Sequence, residues 1–175
     1  MPLEQVIQRT SGWNSVGDID WDRVYAEQLP RVFNYFRFRI RNQADVEDLT
    51  SRTFEKAWRA RAKYRDDRAG VATWLFAIAR NVAIDHLREA VSHEPIEAAA
   101  DSATDRTPEI DIEGESDIAR LNLLASSLSD RERDLLAMKY GAALTNRAIA
   151  QLSGLTESNV GTILSRVVKK LRERW

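Results

Sequence analysis

Residues 144 to 166, Leu-Thr-Asn-Arg-Ala-Ile-Ala-Gln-Leu-Ser-Gly-Leu-Thr-Glu-Ser-Asn-Val-Gly-Thr-Ile-Leu-Ser-Arg, constrain the fold more than any other stretch, because two helical patterns meet around Gly154 with almost no chain between them. Ala150, Gly154 and Val160 have the spacing of two short helices crossing at a tight angle. The small residue lets the backbones approach, the glycine takes a left-handed turn, and the aliphatic side chain closes the core. A helix-turn-helix of this kind presents its second helix to the major groove of DNA. The same spacing also fits a helical hairpin with no DNA role. Thr145 and Thr156 stand where each helix needs a side-chain oxygen to cap its first turn. Upstream, Ser129 and Glu132 form a capping box after Leu128, a candidate staple, which predicts a helix from Asp130 to about Tyr140 that stops at Gly141.

Charge divides the chain. Residues 1 to 91 carry 15 basic and 13 acidic side chains, residues 92 to 116 carry 1 and 8, and residues 117 to 175 carry 10 and 6. Two weakly basic modules therefore flank an acidic connector. With Pro95, Pro108 and only Ile96, Ile110 and Ile112 as aliphatics, the connector buries too little to offset its chain entropy and reads as a flexible tether. The basic run Arg166, Lys169, Lys170, Arg172 and Arg174 in the last helix suits phosphates beside a helix-turn-helix, and otherwise reads as a solvated face.

Before the connector the pattern is helical throughout, with no sustained alternation that would indicate a sheet. Trp21, Val24, Tyr25, Leu29, Val32, Phe33, Phe36 and Ile40 recur at helical spacing, with Pro30 either starting a second helix or kinking a long one. From Asp45 to about Arg61, Val46, Leu49, Thr53, Phe54, Ala57 and Trp58 share one stripe and leave the charged residues outside. A polar loop, Lys63 to Thr73 with Gly70 as its hinge, leads into a third helix from Trp74 to about Glu89. That helix is apolar or small around most of its circumference and keeps Asn81, Asp85 and Arg88 in line as a narrow polar stripe. The stripe reads either as a set of directional contacts for a ligand or as a face that meets water. The expected fold is all-α: two small helical domains joined by a flexible acidic linker, the C-terminal one containing the helix-turn-helix.

Several classes are disfavoured. The chain has no cysteine, so disulfides and cysteine-ligated zinc are excluded. Its apolar runs fall short of the ~20 residues that cross a bilayer, and the N-terminus lacks a basic-then-apolar signal, so a cytoplasmic protein without membrane insertion is expected. His86 and His93 are the only histidines, and no nucleophile, base and orienting group converge in the sequence, so no enzyme activity, cofactor or metal is expected.

The series Asp45-Val-Glu-Asp-Leu-Thr-Ser-Arg-Thr-Phe-Glu-Lys-Ala-Trp58, Trp74-Leu-Phe-Ala-Ile-Ala-Arg-Asn-Val-Ala-Ile-Asp-His-Leu-Arg88, Leu128-Ser-Asp-Arg-Glu-Arg and the helix-turn-helix, in that order, resembles the extracytoplasmic-function (group 4) sigma factors of bacterial RNA polymerase. The resemblance implies an N-terminal tail at 1–19, sigma region 2 at 20–91, the linker at 92–116 and sigma region 4 at 117–175. It implies a transcription initiation factor that binds core RNA polymerase, directs it to promoter DNA and assists melting, with an anti-sigma factor as a further partner. By the same resemblance, Asp45, Glu47, Asp48, Arg52 and Glu55 contact the polymerase. Lys63, Arg65, Asp66, Arg68, Arg80, Asn81, Asp85 and Arg88 handle the minus-ten element, where an unstacked base is captured. Ser158, Asn159, Gly161, Thr162, Ser165, Arg166 and Lys169 face the minus-thirty-five element. Ser51, Arg52, Ala148, Gly161 and Ile163 depart from the residues usual in the family. A helix-turn-helix regulator acting without a sigma role would share the C-terminal half but would not need the Asp45 to Arg88 series.

Overall fold

The computed structural model describes residues 19–65, 68–93, 124 and 127–174. Residues 1–18, Asp66 and nearly all of the acidic connector, for which a tail, a base-capturing loop residue and a tether were expected, lie outside the described residues.

Helix α1 (Trp21–Arg39) starts where the Asp20 side chain accepts the Arg23 N–H at 3.0 Å and passes through Pro30 as one helix. Pro30 therefore begins no second helix. Helix α2 (Gln43–Ala60) is capped by Asn42, whose side chain accepts from the Ala44 and Asp45 N–H groups. Val46, Leu49, Thr53, Phe54 and Ala57 are buried as the spacing predicts, while Trp58, expected on the same stripe, is only half-buried at the end of the helix. The two buried threonines, Thr50 and Thr53, donate to the Val46 and Leu49 carbonyls at 2.7 and 2.8 Å, so no hydroxyl is stranded in the core. A short 3-10 turn (Arg61–Lys63) follows α2, and the next helix is α3 (Val71–His93). Helix α3 starts three residues before the expected Trp74, with Gly70 supplying the first carbonyl, and runs past Glu89. His93, expected in the connector, closes this helix.

The capping box at Ser129 and Glu132 forms as predicted and opens α4 (Asp130–Leu136). Its N–H and O–H donors hold the Glu132 carboxyl below the usual carboxylate range. The expected stop at Gly141 is a different structure. The helix widens into a π turn (Ala137–Gly141), and the left-handed residue that ends it is Ala143, at φ 51°. Leu128 packs with Leu136, Val167 and Leu171, a contact across helices in place of a local staple. Helix α5 (Asn146–Ser153) and α6 (Glu157–Arg172) are capped by Thr145 and Thr156, and Gly154 takes the left-handed turn between them at φ 71°, ψ 17°.

The two helical units do not stand apart. One continuous core runs from Phe36, Phe54, Phe76 and Ala83 through Leu135, Met138 and Leu144 to Ile149, Val160 and Leu164. Helix α1 lies against the π turn so closely that a Cβ on Gly141 would stand 2.9 Å from the Asn34 carbonyl oxygen and 3.0 Å from the Tyr35 Cα. Only glycine permits that approach. Beside it, the Arg31 guanidinium donates to the Ala142 and Ala143 carbonyls at 2.8 and 3.3 Å, satisfying acceptors that the end of the π turn leaves open. Burial there lowers the pKa of Arg31.

Candidate nucleic-acid interface and partner surfaces

Helix α6 buries Val160, Leu164, Val167 and Leu171, residues spaced by four, three and four. That stripe fixes the opposite face. Ser158, Asn159, Thr162, Ser165, Arg166 and Lys169 are exposed on it, and Gly161 sits half-buried near the Asn146 side chain. The Thr162 hydroxyl donates back to the Ser158 carbonyl at 3.0 Å, which leaves its oxygen lone pairs and methyl group for an incoming partner.

On α3, Asn81, Asp85 and Arg88 are exposed together, as their spacing predicts. Arg80 is not part of that line. One residue rotates a side chain by about 100° on a helix, and Arg80 points to α4, where its Nε donates to Asp134 Oδ2 at 2.7 Å. The loop that precedes α3 has Lys63, Arg65 and Arg68 exposed.

This loop rests on an aromatic base that the sequence reading did not single out as a unit. Trp21, Tyr64 and Trp74 meet with ring centroids 5.2 to 6.1 Å apart, each pair steeply inclined. The Tyr64 hydroxyl donates to the Ala69 carbonyl at 3.0 Å, tying the far side of the loop to its near side. Three large aromatics around a polar loop were the available signal. The Arg61 guanidinium stacks 3.5 Å over the Trp58 ring and donates to its carbonyl, which fixes the exit of α2.

The outer face of α2 carries both signs of charge. Asp48 pairs with Arg52 at 2.8 Å and Glu55 with Arg59 at 2.6 Å, all four exposed. Such i, i+4 pairs contribute about 0.3–0.5 kcal/mol each, so they organise the face more than they stabilise the fold. Asp45 and Glu47 are half-buried; Asp45 lies 3.7 Å from His86 Nε2, and Glu47 accepts from Gln43 at 3.2 Å.

An exposed recognition-type helix behind a capped turn in the C-terminal unit, beside an N-terminal unit that carries its own polar stripe, defines a helix-turn-helix DNA-binding protein built from two regions. Sequence profiles agree: residues 24–92 match sigma-70 region 2 and residues 124–173 match sigma-70 region 4. The chain is 32% identical over 126 residues to the ECF RNA polymerase sigma factor RpoE of Cereibacter sphaeroides, covering 71% of this chain and 67% of RpoE. It is 27% identical over 163 residues to the ECF RNA polymerase sigma factor BldN of Streptomyces coelicolor, with 89% of this chain matched to 60% of BldN. Two solved structures share the fold. The sigma factor RpoE bound to the anti-sigma factor NepR, from Bartonella quintana, superposes with a TM-score of 0.66 at 19% identity, over 88% of this chain and 95% of that one. CnrH in complex with the cytosolic domain of CnrY gives 0.63 at 20% identity, over 87% and 85%. The chain belongs to the extracytoplasmic-function sigma factors of RNA polymerase. Members of this family are DNA-binding transcription initiation factors.

Proposed function

We propose that the chain binds core RNA polymerase, directs it to a subset of promoters and assists their melting, with the residue roles divided among three surfaces. The observation that carries this reading is the ordered pair of matched regions, 24–92 and 124–173, each with an exposed polar face. Asp48, Arg52 and Glu55 on α2, with Asp45 and Glu47 at its edge, form the polymerase contact. Asn81, Asp85 and Arg88, with Lys63, Arg65, Asp66 and Arg68 of the loop, hold the minus-ten strand. A base drawn out of the duplex costs only a few kcal/mol of stacking and pairing, and a rigid aromatic platform beneath the loop suits its capture. Arg80 joins that set only after leaving Asp134. Ser158, Asn159, Gly161, Thr162, Ser165, Arg166 and Lys169 read the minus-thirty-five major groove or its phosphates.

The role is one of binding, not catalysis, and it belongs in the cytoplasm with the polymerase; no described helix is long and apolar enough to cross a membrane. An anti-sigma factor is a further partner, a reading supported by the two superposing chains, both solved as complexes and one of them with a named anti-sigma factor. Transcription in vitro with core polymerase on a genomic fragment library, reading start sites, tests the proposal. Start sites that share two upstream elements and vanish without the chain are expected. Tight promoter binding without polymerase, together with no added start sites, would replace it with a helix-turn-helix regulator.

A further inference from the structure

Asp134 is 7% exposed and comes from α4, yet its partners come from α1 and α3. The Tyr35 hydroxyl donates to Oδ1 at 2.9 Å, the Arg80 Nε donates to Oδ2 at 2.7 Å, and the Arg39 Nε stands 3.8 Å from Oδ1. Arg39 also donates from Nη1 to the Asp130 carbonyl at 2.9 Å, while its buried Nε has no acceptor. One carboxylate therefore faces two guanidiniums across the seam between the regions. Burial and the adjacent carboxylate push the Tyr35 phenol well above its usual pKa, so it stays a donor.

Such a cluster specifies one docked geometry: while it is whole, desolvation offsets most of its attraction, but removing one partner leaves buried charge unpaired and strongly disfavours that geometry. It also keeps a surplus of positive charge at the seam. A polyanion offers those guanidiniums better-solvated partners and releases counterions on binding.

We propose that Asp134 is an intramolecular latch that holds the free chain closed, and that Arg80 exchanges Asp134 for the DNA backbone when the regions separate. This rests on the sigma-factor reading above in one respect, the need to open. The minus-ten and minus-thirty-five elements lie roughly 25 base pairs apart, roughly 80 Å of B-DNA. The faces meant for them sit on α3 and α6, whose buried residues Ala79, Val82, Val160 and Leu164 share one core. The closed chain cannot span both. Opening must break the shared apolar core, the Asp134 cluster, the Arg31 bonds to Ala142 and Ala143, and the contact at Gly141 together.

The chain has no cysteine, so a unique pair can report closure in the intact protein. Asn34 and Tyr140 are both exposed, and each adjoins the close approach of Gly141 to α1. In N34C/Y140C, a short bismaleimide should bridge the free protein readily. Adding Asp134→Asn, or separately Arg31→Gln, should slow bridging severalfold, and the bridged protein should lose promoter-dependent transcription with core polymerase by tenfold or more. Failure of the pair to bridge, bridging unaffected by both substitutions, or full activity of the bridged protein would overturn the latch. Loss of helix by far-UV circular dichroism in both substituted chains would overturn it too, because a latch is separable from the folding of each region. If instead the unbridged pair fails to bind core polymerase, the sigma-factor reading falls, while the bridging rates of the free protein still judge the latch.

Discussion

Two glycines in the C-terminal region should respond to the same substitution with opposite signs. Alanine at either removes backbone freedom from the unfolded chain, a gain of roughly 0.5–1 kcal/mol where the native conformation accepts a Cβ. At Gly161, inside α6, the new atom would meet only the Asn146 Nδ2, at 3.5 Å, an ordinary contact. Gly161→Ala is therefore expected to stabilise by the full ~0.5–1 kcal/mol. At Gly141 the new atom would stand 2.9 Å from the Asn34 carbonyl oxygen, 3.0 Å from the Tyr35 Cα and 3.0 Å from the Phe38 ring. Two of those neighbours are backbone, which cannot swing aside as a side-chain tip can. Overpacking of this kind costs about 1–3 kcal/mol, so after the entropic gain Gly141→Ala should destabilise by up to about 2.5 kcal/mol. Urea titration followed by far-UV circular dichroism measures both, with the shift read from the midpoint at unchanged slope. In a chain of this size each kcal/mol moves the melting temperature by roughly 2–4 °C, so the pair should separate by several degrees. Midpoints that move in the same direction would refute the claim that α1 and the π turn touch through their backbones.

Gly154→Ala should cost about 1–2 kcal/mol in melting experiments, because φ 71° is a left-handed conformation that a Cβ opposes. Glu132→Gln should flatten the acid limb of stability: the folded pKa of Glu132 is lowered, so its contribution is present above the unfolded value and is lost as pH falls through the folded one, which pH-dependent melts of both proteins will show. Asn81→Ala and Arg88→Ala should each reduce permanganate reactivity of the melted promoter while leaving core polymerase binding intact. Arg166→Ala should weaken promoter binding by ~1–3 kcal/mol, with the loss concentrated at one position of the upstream element if it contacts a base and spread evenly if it contacts phosphate.

The sequence by itself determined whatever depends on residues a turn apart. The Ser129 and Glu132 capping box, the Thr145 and Thr156 caps, the left-handed Gly154, the buried stripe of α2 and the exposed Asn81, Asp85 and Arg88 all follow from i, i+3 and i, i+4 relations, which a helix satisfies before it meets anything else. The π turn escaped, since Ala143 carries no signal for a left-handed backbone and is held there by a turn whose last carbonyls an arginine more than a hundred residues away satisfies. Arg80 joins the expected minus-ten residues through the family resemblance, whereas the helix aims it at Asp134 on α4, a partner that local spacing does not reveal. Neither Tyr35 nor Asp134 is singled out by the periodicity or the motifs. Only tertiary structure decided that they meet, across 99 residues, at the seam of the two regions. The physical reason is that a buried carboxylate is tolerable only where donors converge on it, and those donors come from helices that the chain brings together by burying one shared core.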